Sequence, residues 1–139
     1  LETLPLRMER HCENAEKVKN FLQKHSKVEK VIYSTLHAGE IGERAKRYLK
    51  GGNGALMGIE LKGGLEAGKK FIDSLKMFYH VANIGDARSL AIHPASTTHS
   101  QLNAKDMAAA GVTPGYVRLS IGIEHADDII DDLDQALNA

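Results

Sequence analysis

The sequence predicts an α/β (α+β) fold: one small mixed or antiparallel sheet of four to five strands, with helices mainly on one face. Three observations carry this. Short extended-type runs alternate with segments of helical periodicity, the pattern of a sheet packed under a helical layer. The strand-like runs are few and short. No internal repeat, low-complexity tract or linker divides the 139 residues, a length that suits one domain with a real core.

The first segment, "LRMERHCENAEKVKNFLQKH", places Met8, Cys12, Ala15 and Leu22 on one helical face, with charges elsewhere. Pro5 opens this helix or kinks a longer one that began upstream. "VEKVIYS" (28–34) reads as a short strand, "GERAKRYLK" (42–50) as a helical turn or two, and "GGNG" (51–54) as a turn. "ALMGIELKG" (55–63) is a stronger strand, broken by Gly63 and Gly64. The next helix keeps Leu65, Gly68, Ile72, Leu75 and Tyr79 on one face, and "HVANIG" and "SLAIHP" follow as two short extended pieces. In "NAKDMAAAG", Asn103 is the expected N-cap, with Asp106 three residues on and Gly111 just past the helix end. "VTPG" turns into a strand over 116–123. The final helix carries Asp127 and Asp128 in its first turn, where the helix dipole favours negative charge, and buries Ala126, Ile130, Leu133 and Leu137.

Composition narrows the function. The chain is 42% hydrophobic and 26% charged, with eighteen basic residues balancing eighteen acidic ones. A nucleic-acid or anionic-membrane partner would call for a basic excess, so neither is expected. No apolar run is long enough to cross a bilayer, and no signal-peptide pattern is present. The single cysteine, Cys12, cannot form an intrachain disulfide, which suits a reducing cytoplasm. The chain starts at Leu1 without an initiator Met, which predicts a piece of a longer protein.

The informative stretch is "GYVRLSIGIE" (115–124), a strand with a permanent charge inside it. Side chains alternate, so Tyr116, Arg118, Ser120 and Gly122 share one face, while Val117, Leu119, Ile121 and Ile123 share the face that packs under helices. Arg118 keeps its proton and presents a planar fork suited to a carboxylate. Two readings stand. An open sheet face commonly carries solvated charges; alternatively, an arginine withdrawn from water needs an anion. The segment "ANIGDARSLAIHPASTTHSQL" (82–102) favours the second reading. It is low in charge and rich in Ser, Thr, Asn and His, types that bond well to backbone and ligands. Asn83 offers both donor and acceptor groups, and His93 and His99 can orient loops or touch a ligand.

Other features read as ordinary structure. His93 and His99, six apart across a proline, make a poor metal pair, and hydrogen bonding to the loop explains them better. Cys12 belongs on the apolar helix face. Asp86 and Arg88 read as turn or surface charges. "GGNG" precedes a strand, whereas a phosphate loop follows one and opens a helix. "DDIIDDLDQ" lacks the glycine and terminal glutamate of a calcium loop and reads as a solvated acidic face.

"LETLPLRMERHCENA", "NIGDARSLAIHPASTTHSQL" and "GYVRLSIGIEHADDIIDDL" together resemble, over nearly the whole chain, the C-terminal domain of the Cys/Met-metabolism family of pyridoxal-phosphate enzymes. The resemblance implies the small α/β domain of fold-type I enzymes, spanning 1–139, with the cofactor-lysine domain lying upstream. It implies that Arg118 binds the substrate α-carboxylate, that Asn83 lies beside it, and that Thr98 lines the neighbourhood. Many lyases of the family have serine where Asn83 stands; asparagine is more like the O-acetylhomoserine sulfhydrylase branch, which makes homocysteine from O-acetylhomoserine and sulfide. Methionine γ-lyase and cystathionine γ-synthase or lyase remain as alternatives. So does a free-standing amino-acid-binding or interaction module. The resemblance also implies pyridoxal phosphate and a tetramer for the intact enzyme. None of the twelve lysines here has the Ser-x-Thr-Lys context of the cofactor lysine, so neither bound cofactor nor activity is expected of this piece alone, and no metal is expected.

Overall fold

A computed structural model describes residues 1–139, apart from the side chain of Ala104. Ten helices and strands follow in order: α1 (Leu4–Leu22), β1 (Val28–Ile32), α2 (Gly39–Tyr48), β2 (Leu56–Leu61), α3 (Gly64–Ser74), β3 (Tyr79–His80), β4 (Leu90–Ile92), α4 (Ala104–Ala109), β5 (Tyr116–Ser120) and α5 (Ala126–Leu137). Short 3₁₀ turns occupy Ser34–Leu36 and Pro94–Ser96. The five strands form one mixed sheet in the order β1-β2-β5-β4-β3. All neighbouring pairs are antiparallel except β3 with β4. The fold class matches the expected one.

The pleat sorts the sheet into two faces. Met57, Ile59 and Leu61 of β2 share a face with Val117 and Leu119 of β5, and α1, α3 and α5 pack over it. Val117, Leu119 and Ile121 are fully buried there, each contributing roughly 1.5–3 kcal/mol by leaving water. Because β5 lies at the centre of the sheet, its opposite face carries Arg118 between Gly58 of β2 and Ile92 of β4. α2 lends Ile41 and Ala45 to a groove on that side.

Local chemistry explains the element ends. Pro5 falls in the first turn of α1, where its missing N–H costs nothing. Gly63 and Gly64 take φ of 101° and 63°, the left-handed backbone that lets β2 turn directly into α3. Asn103 caps α4 by accepting the Asp106 N–H at 3.0 Å, and Gly111 follows the helix at φ 73°.

Four expectations are corrected. The buried stripe of α1 is His11, Asn14, Ala15, Val18, Lys19 and Leu22, whereas Met8 is exposed and Cys12 half-buried. The helix is rotated because His11 and Asn14 point inward to serve carbonyls beyond β5. Nδ1 of His11 lies 2.6 Å from the Ile121 carbonyl, to which it donates. Tyr79 leaves α3 and starts β3, because the intervening turn is held by a carboxylate from α5. That carboxylate, Asp132, belongs to the run read as a solvated acidic face, yet it is buried, and Ile129 takes the inward position expected of Ile130.

Candidate carboxylate site on the central strand

Arg118 is half-buried and reaches the 81–88 loop, where its Nη2 donates to the Asn83 carbonyl at 3.1 Å. Among the described residues this is the guanidinium's one hydrogen bond, and no carboxylate pairs with it. A guanidinium has five N–H donors in a fixed fork, so most of its donors remain available. The groove beside it has a volume of about 320 Å³ and is lined by Tyr33, Ser34, His37, Gly58 and Tyr116, among others. Gly58 is required there: a Cβ would lie 2.4 Å from the Tyr116 ring, which therefore sits directly over the β2 backbone. Burial raises the Tyr116 phenol pKa, with the Arg118 charge opposing and Glu60 adding to the rise. The phenol thus stays neutral beside the cation.

Asn83 is exposed and uses its side-chain oxygen locally, accepting the Ile84 N–H at 2.9 Å. Its backbone carbonyl, not its amide side chain, meets Arg118. Thr98 is exposed, with its hydroxyl 2.9 Å from Nδ1 of His99. Among the described residues no hydrogen bond joins Thr98 to Arg118 or Asn83. The structure therefore brings Arg118 and Asn83 into hydrogen-bond contact, whereas the Thr98 hydroxyl is engaged with His99.

His93 is fully buried as a structural residue. Nε2 faces the Pro114 carbonyl at 2.7 Å and must donate, so in the neutral ring Nδ1 accepts from the Ser96 hydroxyl at 2.8 Å. The ring stands against Gly68, where a Cβ would come within 2.3 Å of Nε2. The loop role expected for His93 is the one observed. No cluster of three metal-type ligands occurs among the described residues.

Sequence reasoning missed the groups behind the site. Asn14 donates to the carbonyls of Gly122 and Glu124, at 3.0 and 2.8 Å. Glu124 accepts from the Ser89 backbone N–H and hydroxyl, at 2.6 and 2.9 Å. The available signal was a pair of polar residues at i, i+3 in line with Ala15, Val18 and Leu22 on one helix face, which call for buried partners.

No lysine lines the groove. It therefore does not fit as the holder of an aldehyde cofactor such as pyridoxal phosphate, and no chemical step can be derived through that group from this chain's residues.

Comparison with known proteins places the chain in a family. The family described as Cys/Met metabolism PLP-dependent enzyme matches residues 1–138. An O-acetyl-L-homoserine sulfhydrylase of Leptospira meyeri is 59% identical over 99% of the chain and 31% of its own length. An L-methionine gamma-lyase of Fusobacterium nucleatum is 47% identical over 99% of the chain and 34% of its own length. A Campylobacter jejuni protein described as an O-acetylhomoserine (thiol)-lyase, solved with a pyridoxyl-lysine monophosphate, superposes with a TM-score of 0.89 at 44% identity. That match covers 99% of this chain and 33% of the other. The chain thus spans about a third of the length of the relatives it matches.

Proposed function

This chain belongs to the Cys/Met metabolism family of PLP-dependent enzymes, and we propose that it is the small C-terminal domain of an O-acetylhomoserine sulfhydrylase. Its task is to hold the substrate's α-carboxylate. The observation that carries this reading is Arg118: a half-buried guanidinium on the central strand, oriented by the Asn83 carbonyl and paired with no acid of its own chain. Water does not fully compensate a withdrawn charge, so an incoming carboxylate gains a two-pronged bond.

The reaction joins O-acetylhomoserine and sulfide: the Cγ–O bond breaks, acetate departs, and a C–S bond forms to give homocysteine. Pyridoxal phosphate, held by residues other than those of this groove, would supply the electron sink. What Arg118 adds is orientation. With the amine held elsewhere and the carboxylate clamped here, two fixed points set the direction of the Cα–H bond. Tyr116, a neutral phenol whose pKa burial raises further, lets the cation face the substrate without a competing anion. We place the enzyme in the cytoplasm, where the free Cys12 stays reduced, as a homotetramer.

The test is Arg118→Lys in the full-length enzyme. A point charge replaces the fork, and losing a charge-assisted bond of about 1.5–3 kcal/mol raises KM for O-acetylhomoserine roughly ten- to hundredfold. Unchanged KM and kcat would sink the proposal. The 47% identity to a methionine gamma-lyase supports a second reading of the same site. Turnover of methionine in preference to O-acetylhomoserine plus sulfide would select it.

A further inference from the structure

We propose that Glu124 is a positioning residue for substrate recognition, acting through Ser89 to hold the loop whose Asn83 carbonyl aims Arg118. The inference rests on the carboxylate-site reading above. The loop is anchored at its ends by the strand pairing of Tyr79 N–H with the Ser89 carbonyl at 3.0 Å and of Val81 N–H with the Ala91 carbonyl at 3.2 Å. Between these, residues 82–85 are exposed. Besides the Arg118 contact, the loop meets the sheet through a long bond of 3.4 Å from Gly85 N–H to the Ser120 hydroxyl. Left to those ties, the Asn83 carbonyl would be free to drift.

The return end of the loop is held quite differently. Ser89 is fully buried, and both oxygens of Glu124 are spent on it. The Ser89 hydroxyl in turn accepts the Gly122 N–H at 2.9 Å. The Ile123 N–H donates to the Ala87 carbonyl at 2.8 Å. From the helix layer, Asn14 grips the carbonyls of Gly122 and Glu124. Only glycine fits at 122, where a Cβ would stand 2.1 Å from the Glu124 carboxylate and 2.5 Å from the Ser89 nitrogen. Among the described residues no Lys, Arg or His pairs with Glu124. A half-buried carboxylate with no cation partner, both of its oxygens committed to one serine, is a specific arrangement and not mere filling. It makes sense as a clasp that joins the loop bearing Asn83 to the end of the strand bearing Arg118, four residues beyond β5.

The experiment uses the full-length enzyme with its cofactor, in Glu124→Gln, Ser89→Ala and Arg118→Lys forms. Two readouts are taken: the KM and kcat pair for O-acetylhomoserine, and hydrogen exchange of amides 83–89 against those of β2 and β5. In Glu124→Gln, one carboxylate oxygen becomes a donor facing Ser89. KM then rises about tenfold, kcat stays within about twofold, and amides 83–89 exchange faster while β2 and β5 do not change. Ser89→Ala, which deletes only the hydroxyl links, moves both readouts the same way by a smaller factor, and it decides the matter if Glu124→Gln fails to fold. The inference is overturned if KM is unmoved, or if KM and kcat worsen together with faster exchange throughout the sheet. An effect of Arg118→Lys without one of Glu124→Gln overturns this inference alone. No effect of Arg118→Lys overturns the carboxylate site itself.

Discussion

Asp132 gives the sharpest test of how the fold is held. Its Oδ1 accepts the Lys76 N–H at 2.9 Å, and its Oδ2 accepts those of Met77 and Phe78 at 2.9 and 3.2 Å. Gln135 Nε2 donates to Oδ1 at 3.0 Å. One carboxylate on α5 thus closes the turn that ends α3 and begins β3. Replacing it by alanine strands these donors unequally. Lys76 is exposed and Met77 half-buried, so water replaces most of what they lose, whereas Phe78 is buried and its N–H loses its partner outright. With about 1–3 kcal/mol for an orphaned buried donor and smaller losses at the wetter two, Asp132→Ala should cost about 3 kcal/mol. Asp132→Asn should cost at least as much, because either amide orientation sets an NH₂ group against a backbone N–H. For a domain of this size, 3 kcal/mol corresponds to a fall in Tm on the order of 10 °C. Thermal and urea unfolding of the three forms measure it. A solvated surface aspartate would change stability by less than about 0.5 kcal/mol, and that result, or an Asn variant as stable as the parent, would refute the reasoning.

Two further outcomes are expected. Gly68→Ala sets two effects against each other: helix propensity favours alanine by about 1 kcal/mol, but the new Cβ would press within 2.3 Å of His93 Nε2. Overpacking of about 1–3 kcal/mol should win, so urea unfolding should show a net loss; a net gain would mean the His93 ring moves freely. Tyr33 is held above the ordinary phenol value of 10.0, first by burial and then by the nearby Glu16 and Cys12. Its folded-state pKa is raised, so its contribution is intact below about pH 10 and drains away as pH climbs toward the higher folded value. Tyr33→Phe should flatten that alkaline loss of stability. It should also cost about 1 kcal/mol at neutral pH from the bond to the Gly54 carbonyl at 2.7 Å. An unaltered alkaline slope in the pH dependence of unfolding would count against it.

Particular elements show why some of this was legible in the sequence. β5 could be read because alternation has a fixed period: once Val117, Leu119 and Ile121 face a core, Arg118 must face the other way. α4 could be read because its cap and its glycine act within a few residues of one another. α1 misled because Met8 and Cys12 are apolar, and a periodicity argument assigns apolar residues inward. His11 and Asn14 displace them because the carbonyls they satisfy lie 110 and 108 residues away.

By itself the sequence determined the fold class, the family blocks and the face on which Arg118 stands, all properties of local periodicity and residue type. Only the tertiary structure decided that the Asn83 backbone carbonyl aims the guanidinium, that Asp132 is a buried clamp, and that Glu124 ties the loop to the strand. The physical reason is common to all three. Each depends on a backbone group donating or accepting across a long stretch of chain, and backbone N–H and C=O groups are the same at every residue, so the sequence carries no mark of which ones will be left for a side chain to satisfy.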